Sequence, residues 1–216
     1  MDDKGLPRSQ IVYAALKQMI REGKLRAGQR MREIEIAEAQ DVSRTPVREA
    51  MHRLISEGLF EVSAARGVAV TELSKHQILE MYGLREFLEG ASARFAAQHA
   101  SLTEMRSLRE LADHTQQIAE DDSALHAKLN KQFHARIAEA AHNQYLSRAL
   151  ALLYDFLMLV PGTTFQYKGR FALVHAEHLA ILDAIEARDA DGAEGAARLH
   201  IRSSGEVRLQ MLFGER

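Results

Sequence analysis

Apolar positions in the first seventy residues recur at helical spacing in three runs. Ile11, Val12, Ala15, Leu16, Met19 and Ile20 define one amphipathic helix, with Ser9 as its expected cap and Gly23 as its stop. Residues 24–28 read as a turn, and Ile34, Ile36 and Ala37 mark a short second helix around 33–39. After a tight connection at Asp41-Val42, Ser43 or Thr45 caps a third helix. Pro46 lies in its first turn, where a missing N–H does no harm. That helix buries Val47, Ala50, Met51, Leu54 and Ile55 and stops at Gly58. The pattern then changes: residues 59–62 and 68–70 are strand-like and are joined by 63–67, which has a hairpin's length and glycine. Three helices and a two-stranded wing predict a winged helix-turn-helix over residues 1–73.

From Ser74 onward the spacing is helical throughout, with little Gly or Pro punctuation. The predicted segments are 75–99, 103–120, 123–141, 143–160, 168–188 and 190–213, with Thr103 and Asp189 as caps and one long loop at 161–169. Six helices with short links predict an antiparallel bundle over 74–216. The expected fold class is mainly α: an N-terminal winged helix-turn-helix followed by an all-α antiparallel six-helix bundle.

Composition narrows the chemistry. The 216 residues contain no Cys, which excludes disulfides, thiolate metal sites and thiol catalysis. No apolar run approaches 18 residues, and the Met-Asp-Asp-Lys start is not a secretory leader, so a soluble, cytoplasmic protein with no membrane partner is expected. With 28 Lys+Arg against 30 Asp+Glu, bulk coating of nucleic acid is not signalled. The average hides a partition, because nine of the ten histidines follow residue 74.

In the first half, Ser43, Arg44, Thr45 and Arg48 occupy the start of the third helix on a face free of large apolar groups. A recognition helix reads base edges with its N-terminal residues. Arg offers guanine a bidentate fork, and hydroxyls reach phosphates. Arg66, beside Gly67 at the tip of the wing, is placed to enter a minor groove or grip a phosphate. The stretch Gly28-Gln29-Arg30-Met31 through Glu35-Ile36-Ala37, the block Val42-Ser43-Arg44-Thr45-Pro46-Val47-Arg48-Glu49-Ala50, and then Leu54, Glu57-Gly58-Leu59 and Gly67-Val68 resemble the DNA-binding domain of the GntR family of bacterial transcription regulators. The resemblance implies that Ser43, Arg44, Thr45, Arg48 and Arg66 contact operator DNA. One position departs: where some members carry a further DNA-contacting Arg in the second helix, this chain has Ile34, and Arg30 or Arg32 could substitute.

In the second half, Asn130 and His134 are four apart and share one helix face. Counting residues up and down the predicted helices from His134 returns to the same level at His178, and again at His200. Three imidazoles and an oxygen donor in one layer suit a divalent ion such as zinc, nickel or manganese. His99, His114, His126, His142 and His175 are read as surface or hydrogen-bonded core residues. Leu84-Arg85-Glu86-Phe87-Leu88-Glu89, Asn130-Lys131-Gln132-Phe133-His134, Glu177-His178 and His200 resemble the FCD effector domain of the FadR-type branch of the same family, in its shorter, VanR-like form. The resemblance implies a metal site at Asn130, His134, His178 and His200. It departs at Asn130, where Asp is usual, so the oxygen donor lacks its negative charge. It also implies that Arg85 faces the cavity and binds a small organic acid effector; from the residues alone, an internal salt bridge from Arg85 to a Glu fits equally well.

The expected function is a DNA-binding transcription regulator, a repressor, binding a pseudo-palindromic operator as a homodimer and released by a metabolite docked at the metal, with a hinge near Ser74. Enzymatic activity is not expected. A regulator whose effector is the metal ion itself, and a metalloenzyme tethered to a DNA-binding domain, remain as alternatives.

Overall fold

A computed structural model describes residues 5–65 and 67–214. Contacts divide the chain into two compact units: one holds the residues up to Ser74 together with Tyr154–Pro161, the other Lys75–Leu153 and Gly162 onward.

In the first unit, α1 spans Arg8–Arg21, α2 Glu33–Ala39 and α3 Arg44–Ser56, and strands β1 (Phe60–Ser63) and β2 (Gly67–Val70) form an antiparallel wing with Phe60 opposite Val70. Val12, Leu16, Val47, Leu54 and Leu59 are buried at the centre of its core. Two local details differ from the sequence reading. Pro7, not Ser9, stands at the start of α1, where its fixed φ of −58° leads into the helix and no side-chain cap is made. Residues 28–31 lie beside β2 through three backbone bonds (Gly28 N–H to Val70 O 2.9 Å, Met31 to Val68 2.8 Å, Val70 to Gln29 2.9 Å). That edge has no alternating pattern to announce it.

Helical spacing had extended the bundle through 160, yet residues 154–161 pack in the first unit. Leu159 joins its core, Asp155 pairs with Lys17, and the ring of Phe156 covers Gly58, where a Cβ would meet it at 3.1 Å. Gly58 also holds φ +76°, so the turn after α3 needs glycine on two counts.

The second unit contains α4 (Lys75–His99), α5 (Leu102–Gln116), α6 (Ser123–Ala140), the start of α7 (Gln144–Leu157), α8 (Arg170–Glu186), α9 (Ala190–Phe213) and a 3-10 turn at Thr164–Gln166. The cap of α5 is Ser101 rather than Thr103: its hydroxyl accepts from the Glu104 N–H while Glu104 reaches back to the Ser101 N–H. Asp189 caps α9 by accepting from Gly192 N–H. Small residues allow close approach: Ala93, Ala96 and Ala97 of α4 and Ala193 and Ala197 of α9 are buried in one cluster with Leu108, Phe133, Ile181 and Leu182. No described helix is long and apolar enough to cross a membrane.

Candidate metal centre and nucleic-acid interface

At the start of α3 the basic side chains are already organised. Glu33, in the first turn of α2, accepts from Arg44 Nη2 at 3.1 Å and takes a two-pronged contact from Arg48, Nε to Oε1 and Nη2 to Oε2, both at 3.0 Å. The bonds from Arg48, and then Arg44, outweigh the effect of burial and hold the Glu33 carboxyl at about 2. Both guanidinium groups stay open to solvent, with 57% and 55% of their side chains exposed. Ser43 stands at the N-cap position of α3 but its hydroxyl makes no cap bond, so it and the exposed Thr45 face solvent beside the arginines. Arg32 precedes α2 and pairs with Glu35 at 3.0 Å; Arg30 lies on the edge beside β2, and Ile34 is exposed. Gly67 opens β2 with φ +69°, whereas Arg66 lies outside the described residues.

In the second unit, α6 presents Asn130 and His134, α8 brings His178 and α9 brings His200. The three histidines are 2%, 5% and 1% exposed, and each offers a ring nitrogen within 4.8 Å of the others. Their orientation is fixed by two chains of charge. Arg85 Nε pairs with Glu89 Oε1 at 3.2 Å, and Glu89 Oε2 lies 3.1 Å from His134 Nδ1. Arg170, itself gripped by Ser203 at 2.8 Å and Ser204 at 2.6 Å, pairs with Glu177 at 3.2 Å, and Glu177 Oε2 lies 2.7 Å from His200 Nδ1. His178 is stacked on Phe133 at 3.9 Å between ring centres. Burial pushes the His200 imidazole down to about 4 despite Glu177, and pushes His178 well below the usual range. Burial alone would raise Glu177, but its bond to His200 and the nearby Arg170 leave it lowered.

The donor chemistry fits a divalent ion. Hydrogens on both Nδ1 atoms, directed at carboxylates, leave His134 Nε2 and His200 Nε2 as bare lone pairs only 3.2 Å apart. Two lone pairs at that distance call for a cation between them, and burial disfavours a proton. His178 Nε2 and Asn130 Oδ1 are buried and have no hydrogen-bond partner among the described residues. Three imidazole nitrogens and an amide oxygen, with carboxylates behind two of the rings, could hold such an ion and leave positions open for a ligand.

His134, His178 and His200 thus come together, with Asn130 one turn before His134 on α6 and lining a cavity with His178, while Arg85 is drawn into the ion pair with Glu89, one link removed from the rings. Glu89, Arg170 and Glu177 were not singled out by spacing as part of this arrangement. Glu177 neighbours His178 in sequence and so points away from it on α8, which is the direction of His200.

The chain matches the FCD domain over residues 80–203 and the bacterial regulatory proteins of the gntR family over residues 8–70. It is 29% identical over 189 residues to the Nta operon transcriptional regulator of Aminobacter aminovorans, covering 88% of this chain and 89% of that protein. To the HTH-type transcriptional repressor RspR of Escherichia coli K12 it is 28% identical, covering 93% and 88%. Among solved structures, McbR/YncC of E. coli superposes with a TM-score of 0.79 at 22% identity, covering 95% of this chain and 99% of that one, a likeness of fold. The first two are named as transcription regulators. The winged helix-turn-helix and the all-helical effector domain belong to one architecture, and the chain is a member of the GntR family of transcription regulators with an FCD domain.

Proposed function

We propose that this regulator is a cytoplasmic repressor that binds a pseudo-palindromic operator as a homodimer and releases it when a small organic acid docks on a metal ion held by Asn130, His134, His178 and His200. The observation that carries the reading is the pair of Nε2 lone pairs 3.2 Å apart, each backed by a carboxylate on the other ring nitrogen. The ion serves binding, since it would offer open positions to a carboxylate. Ser43, Arg44, Thr45, Arg48, Arg66 and Gly67 contact DNA, with Arg30 or Arg32 gripping the backbone beside them. Two copies are required because one recognition helix reads too few bases. Leu84 and Phe87, three apart on α4 and 53% and 61% exposed, offer an apolar face to a second copy. The relative RspR is named a repressor, which sets the expected sign of control.

Elemental mass spectrometry of protein purified without chelator or a nickel column tests the reading. Near one zinc, nickel or manganese ion per chain is expected, with operator affinity unchanged by metal alone and lowered by a carboxylate. Near none, with no uptake on addition, overturns the metal site. Operator affinity that follows the free metal without any organic ligand makes the ion itself the effector.

A further inference from the structure

The α6 face that carries Asn130 and His134 extends one turn further back, to His126. Its imidazole is fully buried and lies among aromatic rings, 5.5 Å from Phe165 and 4.3 Å from Phe171 between centres. Its Nε2 is 2.9 Å from the Ala119 carbonyl and therefore donates there. That leaves Nδ1 as an acceptor, and it has no hydrogen-bond partner among the described residues. A buried acceptor in this state is costly unless something donates to it.

His126 lines a cavity that also reaches Asn130 and His178, walled by Leu129, Phe133, Phe165 and Phe171. The cavity is only about 10 Å³, room for one water at most. One wall is Phe165, carried on the 3-10 turn Thr164–Gln166. Gly162 and Gly169 bracket this turn at φ +74° and +77°, and the Thr163–Gln166 capping box ties it internally, so it can swing as a unit about two permissive joints.

We propose that this slot is the subsite for the body of the effector: an aromatic, ring-sized group bearing a hydroxyl or N–H donor, accepted by His126 Nδ1 and admitted by displacement of Phe165. Aromatic walls favour a ring over an alkyl chain through offset or edge-to-face contacts. A donor answers the unmatched acceptor, and an effector lacking it leaves that atom buried and unpaired. His126 and Asn130 are four residues, about 6 Å, apart along α6. A para-substituted ring matches that span, with its donor at His126 and its acidic end toward the histidine layer. The second half of this orientation rests on the metal reading above; the pocket at His126 does not.

Phenol and toluene are the minimal probes, titrated calorimetrically into the full-length protein with metal content measured on the same sample. Phenol is expected to saturate one site per chain and to bind at least tenfold tighter than toluene. His126→Phe should abolish that preference while toluene binding persists. Phe165→Ala, on an outer turn that leaves the helices intact, should tighten both ligands at least fivefold and keep the preference for phenol. Absence of saturable phenol binding, equal affinity for the two probes, or no tightening in Phe165→Ala overturns the subsite, including if His126→Phe fails to fold. Phenol selectivity in protein that takes up no metal supports the subsite and removes the metal reading. One bound ion with no phenol selectivity does the reverse.

Discussion

Two sets of arginine–glutamate pairs, one at the start of α3 and one behind the histidines, stand in opposite surroundings. At the start of α3, Glu33 is shared by two arginines that are more than half exposed. Behind the histidines, Arg85–Glu89 and Arg170–Glu177 are almost entirely buried, with side chains at most 11% exposed. An exposed pair contributes at most about 1 kcal/mol, so its carboxylate can be exchanged for a phosphate or a base edge at little cost. A buried pair cannot be exchanged, because removing one partner strands the other's charge and costs about 3–5 kcal/mol. On the function proposed above, the exposed pair would hold arginines ready for a ligand that replaces Glu33. The buried pairs hold glutamates still, so that their second oxygens aim His134 and His200.

The largest expected effect separates these roles directly. Arg170→Ala should destabilise the folded protein by about 3–5 kcal/mol in denaturant titrations, whereas Arg48→Ala should leave stability nearly unchanged. Equal losses would break the distinction. Next, Glu177→Gln should weaken zinc binding about 10–100-fold by competition titration, since a ring loses its charged orienting partner, while Glu33→Gln leaves zinc binding unchanged. Arg44→Ala should cost about 1–3 kcal/mol in operator affinity per recognition helix, read by fluorescence anisotropy at fixed salt, with no change in zinc uptake.

How much of this was legible in the sequence follows from the range of the interactions. The level of His134, His178 and His200 could be counted because helices have a fixed rise and antiparallel neighbours retrace it, even across the long loop at 161–169. The wing could be read from the strand-like runs at 59–62 and 68–70 and the short, glycine-bearing link between them. Partners that depend on which way a side chain leans between helices could not be counted. Glu177 reaches His200 on α9 because its position beside His178 turns it away, and Glu89 is one turn beyond Arg85. The same limit hid residues 154–161: a helical period records that one face is apolar, not which unit covers it. The α5 cap shifted from Thr103 to Ser101 because the reciprocal bond with Glu104 requires the residue three positions before it.

The smallest effects are in pH, and they take the two regions in different windows. His200 stays neutral in the folded chain until about 4, so without metal the unfolded chain takes up a proton first as pH falls below 6.5. Stability is therefore expected to decline between 6.5 and 4, with His178 acting in the same direction, and bound zinc should suppress the decline by competing with those protons. Glu33 acts in the same direction in a lower window: its folded value of about 2 lies below the usual 4.5, so its contribution is complete above 4.5 and is lost only as pH falls toward 2. Because Arg44 and Arg48 are exposed, salt should screen that contribution. Thermal melts of metal-free protein from pH 7 to 3 at low and high salt resolve the two. A salt-insensitive loss between 6.5 and 4 belongs to the buried histidines; a salt-sensitive loss below 4.5, removed by Glu33→Gln, belongs to the cluster at the start of α3. A single salt-sensitive transition across the whole range would mean that the histidine layer is not the sealed environment its burial implies.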